Sequence, residues 1–278
     1  MTAYGTGTTA SGEGTATASW EDERQTSTPS FKIVYSAEDV ATEAARSTVV
    51  PEGVNYTSPY TAAERQRFID RNIHGQLGYR IVKRAFDVVF SGAVITILAI
   101  PSAAVCIAIY VQSPGNPFYV DKRVGRFGKP LGVLKFRSMV TDAGNVEKYF
   151  TPEQLETWHR ERKVDEDPRI TAIGNFLRKT SLDELPQFLN VFAGQMSVIG
   201  PRPITEEELK NFGPDKDLYL SVLPGITGWW QVSARNNADF LSGERQRLEL
   251  EYVTGRSFAK DVQVFLGTFG AMAKKTGK

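Results

Sequence analysis

Between Val88 and Val120 the chain carries no charged residue, and from Val88 to Val111 it is nearly all apolar. A run of more than about 18 such residues is long enough to cross a bilayer as a helix. Two details argue against a simple span. Pro101-Ser102 sits at its centre, where proline deletes a backbone hydrogen bond and clashes with the preceding turn. Basic residues also flank both ends: Arg80, Lys83 and Arg84 before, Lys122, Arg123 and Arg126 after. Lys and Arg favour the cytoplasmic side, so both ends want the same side of the membrane. A re-entrant helix hairpin over about residues 84–112, marked by Lys83, Arg84, Pro101 and Ser102, satisfies both facts. A kinked single span and a helix buried in a soluble core are the alternatives.

The formal net charge of +1 hides an asymmetry. Residues 1–60 hold eight acids and three bases, a net of −5, so the remainder carries +6. A moderately basic body suits anionic partners: a phosphate-bearing substrate, an acidic leaflet or nucleic acid. Cys106 is the only cysteine and His74 and His159 the only histidines. An internal disulfide is impossible, and Cys- or His-rich metal sites are excluded. His159 lies in the charged run Thr157–Arg162, which reads as a solvated helix face. Any chemistry therefore falls to carboxylates, lysines and arginines.

The first 30 residues, largely Thr, Ala, Gly and Ser, have too little to bury to offset their ordering entropy, and residues 1–60 are expected to be a disordered acidic tail. The start lacks a basic stretch followed by an apolar run, so no secretory signal is expected. Phe31–Tyr35 is a candidate strand. A helical pattern runs from Thr61 to about Lys83. Phe118–Val124 and Leu131–Ser138 read as strands around a turn, with Lys135 and Arg137 on one face of the second. Residues 145–163 read as a charged helix, about Asp183–Phe192 as a short one, and Met196–Ile199 as a buried strand. Val262, Phe265, Leu266, Phe269 and Met272 recur at helical spacing before Lys274, Lys275 and Lys278, as core packing or as an amphipathic helix on a membrane.

Asp183 and Glu184 stand at a helix start. Ser181 with Glu184 fits a capping box, and Asp183 is itself an alternative cap because Pro186 belongs early in a helix. An Asp-Glu pair there is usually only a cap. The basic surround argues for more: Arg178 and Lys179 lie just upstream, Arg202 sits between Pro201 and Pro203, and Arg235 closes a loop-rich run from Pro224. A carboxylate can attack a diphosphate only where negative charge is neutralised, by arginine forks or a divalent cation. Asp165-Glu166-Asp167 has the Asp-x-Asp form of metal-binding glycosyltransferases but lies in a dense charge run. Walker and Gly-x-Gly-x-x-Gly loops are absent, as are nucleic-acid-binding motifs.

Several motifs in order resemble one family, the monotopic polyprenol-phosphate phosphoglycosyl transferases, or bacterial sugar transferases. They are Lys83–Asp87, the Pro101-Ser102 break, Arg123-Val124-Gly125, Leu134–Met139, Asp167–Thr171, Leu177–Gln187, Ile199–Pro203, Pro224–Gly228 and Gln231–Arg235. The resemblance covers about Tyr79 to Met272. It implies a re-entrant membrane helix under a cytosolic catalytic domain, with Asp183 as nucleophile and Glu184 binding Mg²⁺. Arg178, Arg202 and Arg235 fall where the family contacts phosphate and nucleotide; Lys179, Lys135 and Arg137 complete the candidate substrate-binding set. Ala234 departs from the family's usual glycine.

The expectation is thus an α+β protein: a tail over 1–60, then a membrane-anchored domain over 61–278, mainly helical with a small β-sheet. The resemblance implies transfer of a sugar 1-phosphate from a UDP-sugar to a polyprenol (undecaprenyl) phosphate through a phosphosugar-aspartate, releasing UMP. This would be the first membrane step of polysaccharide or glycoconjugate synthesis, on the cytoplasmic face of the inner membrane. Expected partners are the UDP-sugar, polyprenol phosphate and membrane lipid but no nucleic acid, with a homodimer left open. The competing readings are a metal-dependent glycosyltransferase releasing UDP and a non-catalytic membrane adaptor.

Overall fold

The computed structural model describes residues 50–161, 164–234 and 238–273. Helix α1, Ala62–Ile73, begins with a complete capping box in which Thr61 and Glu64 exchange hydrogen bonds. Helix α2 runs from Leu77 to Gln112. Between them Gln76 is left-handed, with φ 53°, so the single helix expected from Thr61 to Lys83 is divided here. Strands β1, Phe118–Val124, and β2, Pro130–Phe136, pair antiparallel, with Tyr119 opposite Lys135 and Asp121 opposite Val133. Helices α3, Pro152–Glu161, and α4, Ala172–Thr180, lead to a 3₁₀ turn at Leu182–Glu184 and helix α5, Gln187–Phe192.

Strand β3, Ser197–Ile199, precedes short helices α6, Glu206–Lys210, and α7, Lys216–Tyr219. Strand β4, Gly225–Thr227, pairs parallel with β3 and is followed by α8, Trp229–Ser233. Helices α9, Glu244–Gly255, and α10, Phe258–Ala273, finish the described chain. The main core joins β3, α7 and α9 through Val198, Ile199, Leu218, Leu250 and Val253. A smaller cluster of Ile109, Phe136 and Leu177 ties the far end of α2 to β2 and α4. The α+β expectation holds at this level: mostly helices, two two-stranded sheets and one long apolar helix.

At 36 residues α2 would span about 54 Å if straight. Helical structure continues through Pro101, where the sequence reading places a break. The lost amide and the crowding of the preceding turn are local costs, and 24 helical residues precede the proline. Charged groups at the start of α2 hold it to the body. Lys83 pairs with Asp261 at 2.9 Å, and Arg84 donates to the carbonyls of Val191 and Phe192 at the end of α5. Buried Asp87 accepts from Ser197 Oγ at 3.0 Å and the Val198 amide at 2.9 Å. At the other end Gln112 Oε1 accepts from the Ile173 amide at 2.9 Å, and Arg137 donates to the Ser113 carbonyl. The middle stands clear, with Ile97 73% and Ile100 84% exposed.

Residues 50–60, assigned above to the tail, lie on the body. Tyr56 is buried and donates to Asp215, which Ser58 Oγ also reaches at 2.8 Å, while the Asn55 amide donates to the Leu241 carbonyl. The packed region therefore begins by residue 50, because Val50, Val54 and Tyr60 are apolar enough to join the core. Phe31–Tyr35 lies outside the described residues. Since Asp215 is fully buried, losing one donor leaves a carboxylate short of partners. Tyr56→Phe is expected to destabilise the fold by about 1–3 kcal/mol, read as a lower thermal midpoint in detergent; an unchanged midpoint would contradict this attachment.

Candidate active site

The Asp183-Glu184 pair is placed by two helices that nearly touch at their ends. Thr171 caps α4 by accepting from the Gly174 amide, and a Cβ on Gly174 would lie 1.9 Å from the Ser138 carbonyl oxygen. Only glycine lets α4 sit that close to the end of β2. Arg178, one turn on, donates from Nε to Ser138 Oγ at 2.9 Å. Ser181 then closes α4 in the left-handed region, φ 56°, and the chain enters the 3₁₀ turn that carries Asp183 and Glu184. The expected capping box does not form. Ser181 ends the preceding helix, and the backbone of an N-cap is extended rather than left-handed. Pro186 caps α5, so neither acid is its cap.

Asp183 is half-buried, and burial followed by the adjacent Glu184 pushes its carboxyl above the usual range, opposed by Lys135 and Arg178. Lys135 Nζ lies 3.6 Å from Glu184 and 3.5 Å from Asp121. Arg123 continues the chain of charge, 2.9 Å from Asp121 and 3.0 Å from Glu208. Arg202, Gln187 and Gly225 border the same small concavity. Arg202 is fixed by a backbone crossing: the Gly200 amide donates to the Thr227 carbonyl and the Gly225 amide to the Pro201 carbonyl. A Cβ on Gly225 would lie 2.1 Å from the Gly200 nitrogen, which leaves no room for a side chain. The Arg202 amide donates to Glu249, and Tyr219 donates to the Arg202 carbonyl.

The bacterial sugar transferase family matches residues 78–275. The chain belongs to this family. A UDP-galactose-lipid carrier transferase of Erwinia amylovora is 41% identical over 201 residues, covering 71% of this chain and 42% of that protein. An undecaprenyl-phosphate galactose phosphotransferase of Salmonella typhimurium is 42% identical over 203 residues, with 71% and 42% covered. The exopolysaccharide production protein ExoY of Sinorhizobium fredii is 36% identical, with 71% of this chain and 88% of that one covered. The chain thus spans less than half the length of the first two relatives.

In this bacterial sugar transferase the fold brings together Asp183, Glu184, Lys135, Arg178 and Arg202. Lys179 is exposed on the last turn of α4. Arg137 lies just past the end of β2 at Phe136, not within the strand; it is buried and donates to Thr141 and to the Ser113 carbonyl at the far end of α2. Lys83 and Arg84 are likewise engaged with the body. Arg235 lies outside the described residues, as do Lys274, Lys275 and Lys278. Asp121, Arg123 and Glu208 were not singled out as site residues; Asp121 and Arg123 alternate along β1, and that spacing could have found them.

No group of three or more metal-ligating side chains occurs among the described residues. The donors nevertheless suit Mg²⁺, which takes one or two carboxylates and completes its shell with substrate phosphate and water. Asp183 and Glu184 are adjacent, and Glu184 adds to the burial that holds the Asp183 carboxyl above its usual range. Asp167 is a poor alternative ligand, since Arg169 covers it from Nε, Nη2 and the backbone amide.

Behind Arg202, fully buried Glu249 is pushed up to about 7, by burial above all, with Arg245 opposing. A carboxyl raised on folding binds its proton more tightly in the folded state, so its contribution falls as pH rises from about 4.5 to about 7. Gln keeps the oxygen that accepts from Arg202. Glu249→Gln should therefore flatten the loss of thermal midpoint between about pH 5 and pH 8, and parallel curves for variant and wild type would refute it.

Proposed function

We propose that this chain transfers a sugar 1-phosphate from a UDP-sugar to a polyprenol phosphate, with Asp183 as the covalent nucleophile. One observation carries the reading: a half-buried carboxylate, beside a second one, with Lys135 and Arg178 acting on it and Arg202 bordering the adjoining concavity. Family membership and the printed functions of the relatives support it.

A carboxylate oxygen of Asp183 attacks the phosphorus that bears the sugar. The bond to the bridging oxygen breaks, UMP leaves with the electron pair, and a phosphosugar-aspartate remains. The polyprenol phosphate oxygen then attacks the same phosphorus. The acyl phosphate bond breaks, the Asp183 carboxylate returns, and a polyprenyl diphosphate sugar departs. Both nucleophiles are already anionic, so neither step needs a histidine base. Burial keeps the Asp183 carboxylate poorly solvated and reactive, while Lys135, Arg178 and Arg202 offset the charge of the diphosphate. Glu184 is the residue that would hold Mg²⁺, which when bound supplies further neutralisation of phosphate oxygens.

The same proposal places α2 as a re-entrant element of the inner membrane, bent at Pro101, with the body on the cytoplasmic face. The charge-free part of α2, Val88–Gln112, would reach about 37 Å if straight, enough to cross a bilayer core. Length therefore does not decide the matter. What supports re-entry is that Asp87 and Gln112 both bond to the same body, whereas a spanning helix would leave them on opposite sides. With Cys106→Ser as background, Gly78→Cys and Lys122→Cys should both resist an impermeant thiol reagent in intact cells and react after permeabilisation. Labelling of one of them from outside would establish a span.

Asp183→Asn should lower turnover by at least about a thousandfold, since the covalent route is closed, while the thermal midpoint changes little. Without acceptor lipid, the wild-type chain should release no more than one UMP per active site and retain a phosphosugar. Intact-protein mass spectrometry followed by peptide mapping should find it on Asp183. Release of UDP, or an adduct on another residue, would overturn the mechanism.

A further inference from the structure

Beside the first turns of α2 lies a cavity of about 430 Å³ whose wall shares no residue with the concavity bordered by Lys135, Glu184 and Arg202. Arg80, Lys83, Arg84, Arg126 and Arg256 all contribute to it. Their charges are unequally matched. Lys83 is paired with Asp261, and Arg84 caps α5. The one carboxylate in the wall, Asp87, is occupied by Ser197 and the Val198 amide. Among the described residues the hydrogen bonds of Arg80, Arg126 and Arg256 go only to neutral groups, the carbonyls of Ile73, Ser221 and Asn72, and Arg126 and Arg256 also lie over the rings of Phe127 and Tyr79.

Arg256 is 8% exposed, and its Nε meets no hydrogen-bond acceptor among the described residues. Burial first, then Arg80 and Arg256, hold the Arg126 guanidinium below its usual range. A buried unpartnered donor and a cluster of like charges are both unfavourable, and a single anion among them relieves both. Guanidinium forks match phosphate oxygens in geometry as well as charge. The rim adds a second character: Leu77 and Ile81 are 63% and 60% exposed, at the end of α2 that leads into its apolar stretch. An anion that also carries an apolar chain fits both halves.

We propose that this cavity is a second, non-catalytic site that holds the phosphate of an anionic phospholipid headgroup, with Arg80, Arg126 and Arg256 around the phosphate and Leu77 and Ile81 along the acyl portion. Bound there, the lipid joins α1, the start of α2, the turn after β1, the segment after α7 and the end of α9 into one unit, since these segments carry the three arginines and their carbonyl partners.

The full chain in a zwitterionic detergent would be titrated with dioctanoyl phosphatidylglycerol, dioctanoyl phosphatidylcholine and inorganic phosphate, following the thermal midpoint and bound lipid by native mass spectrometry. Phosphatidylglycerol should raise the midpoint and bind at least about tenfold more tightly than either of the others. Arg126→Gln and, separately, Arg80→Gln should each weaken it by about fivefold or more. Arg80 is partly exposed, so its variant tests the site even if Arg126→Gln folds poorly. Asp183→Asn should bind like wild type, which separates this site from the catalytic proposal. Equal binding of phosphatidylcholine, equal binding of inorganic phosphate, or wild-type affinity in the folded arginine variants would each overturn the assignment.

Discussion

A buried carboxylate one residue before a long charge-free segment is an unusual demand on a fold, and Asp87 makes it. Its oxygen takes the Val198 amide and the Ser197 hydroxyl, so the start of α2 is tied directly to β3 of the parallel pair. Lys83 and Arg84 extend the tie to α10 and to the end of α5. Phe90 packs between Phe188 and Phe265, adding an apolar contact on the same side. The orientation of the apolar helix and the position of α5, and hence of the turn before it, follow from one set of contacts. A helix joined to its body only by a loop could tilt freely; this one cannot move without uncovering buried charge.

The acidic pair illustrates how an environment tunes a carboxylate in both directions. Burial and Glu184 disfavour the ionised form of Asp183, while Lys135 and Arg178 favour it. The first two dominate, so the carboxyl is held above its usual range. None of the four residues could hold this balance from a mobile loop. Gly174 presses α4 against Ser138, and the Gly200–Gly225 crossing fixes the loop of Arg202, so the cations are carried on short, close-packed segments.

Much of this was legible in the sequence. The strand pair and the apolar helix follow from periodicity and hydropathy, and the family from motif order. What escaped was decided by contacts between distant segments. Arg137 reads as a neighbour of Lys135 on one strand face, yet the strand stops one residue earlier and the side chain turns to Ser113. Ser181 and Glu184 have the spacing of a capping box, but the preceding helix claims Ser181 as its own end. Residues 50–60 follow a stretch with little to bury and read as its continuation, yet they are held because Asp215, far along the chain, takes Tyr56 and Ser58. The partnership of Asp121 and Arg123 with Glu208 depends on where the segment after β3 returns, which composition does not encode.

The anchor of α2 also carries an order of events. Lys83 and its partner Asp261 are 178 positions apart, and Asp87 and Val198 are 111 apart. At roughly 5–20 residues per second, synthesis leaves Lys83 without that partner for some ten to thirty seconds after it is made. Throughout that interval the apolar helix is complete while the body that will grip it is not. The contacts that fix α2 therefore form only once most of the domain has been synthesised, and until then its apolar stretch has no partner within the chain.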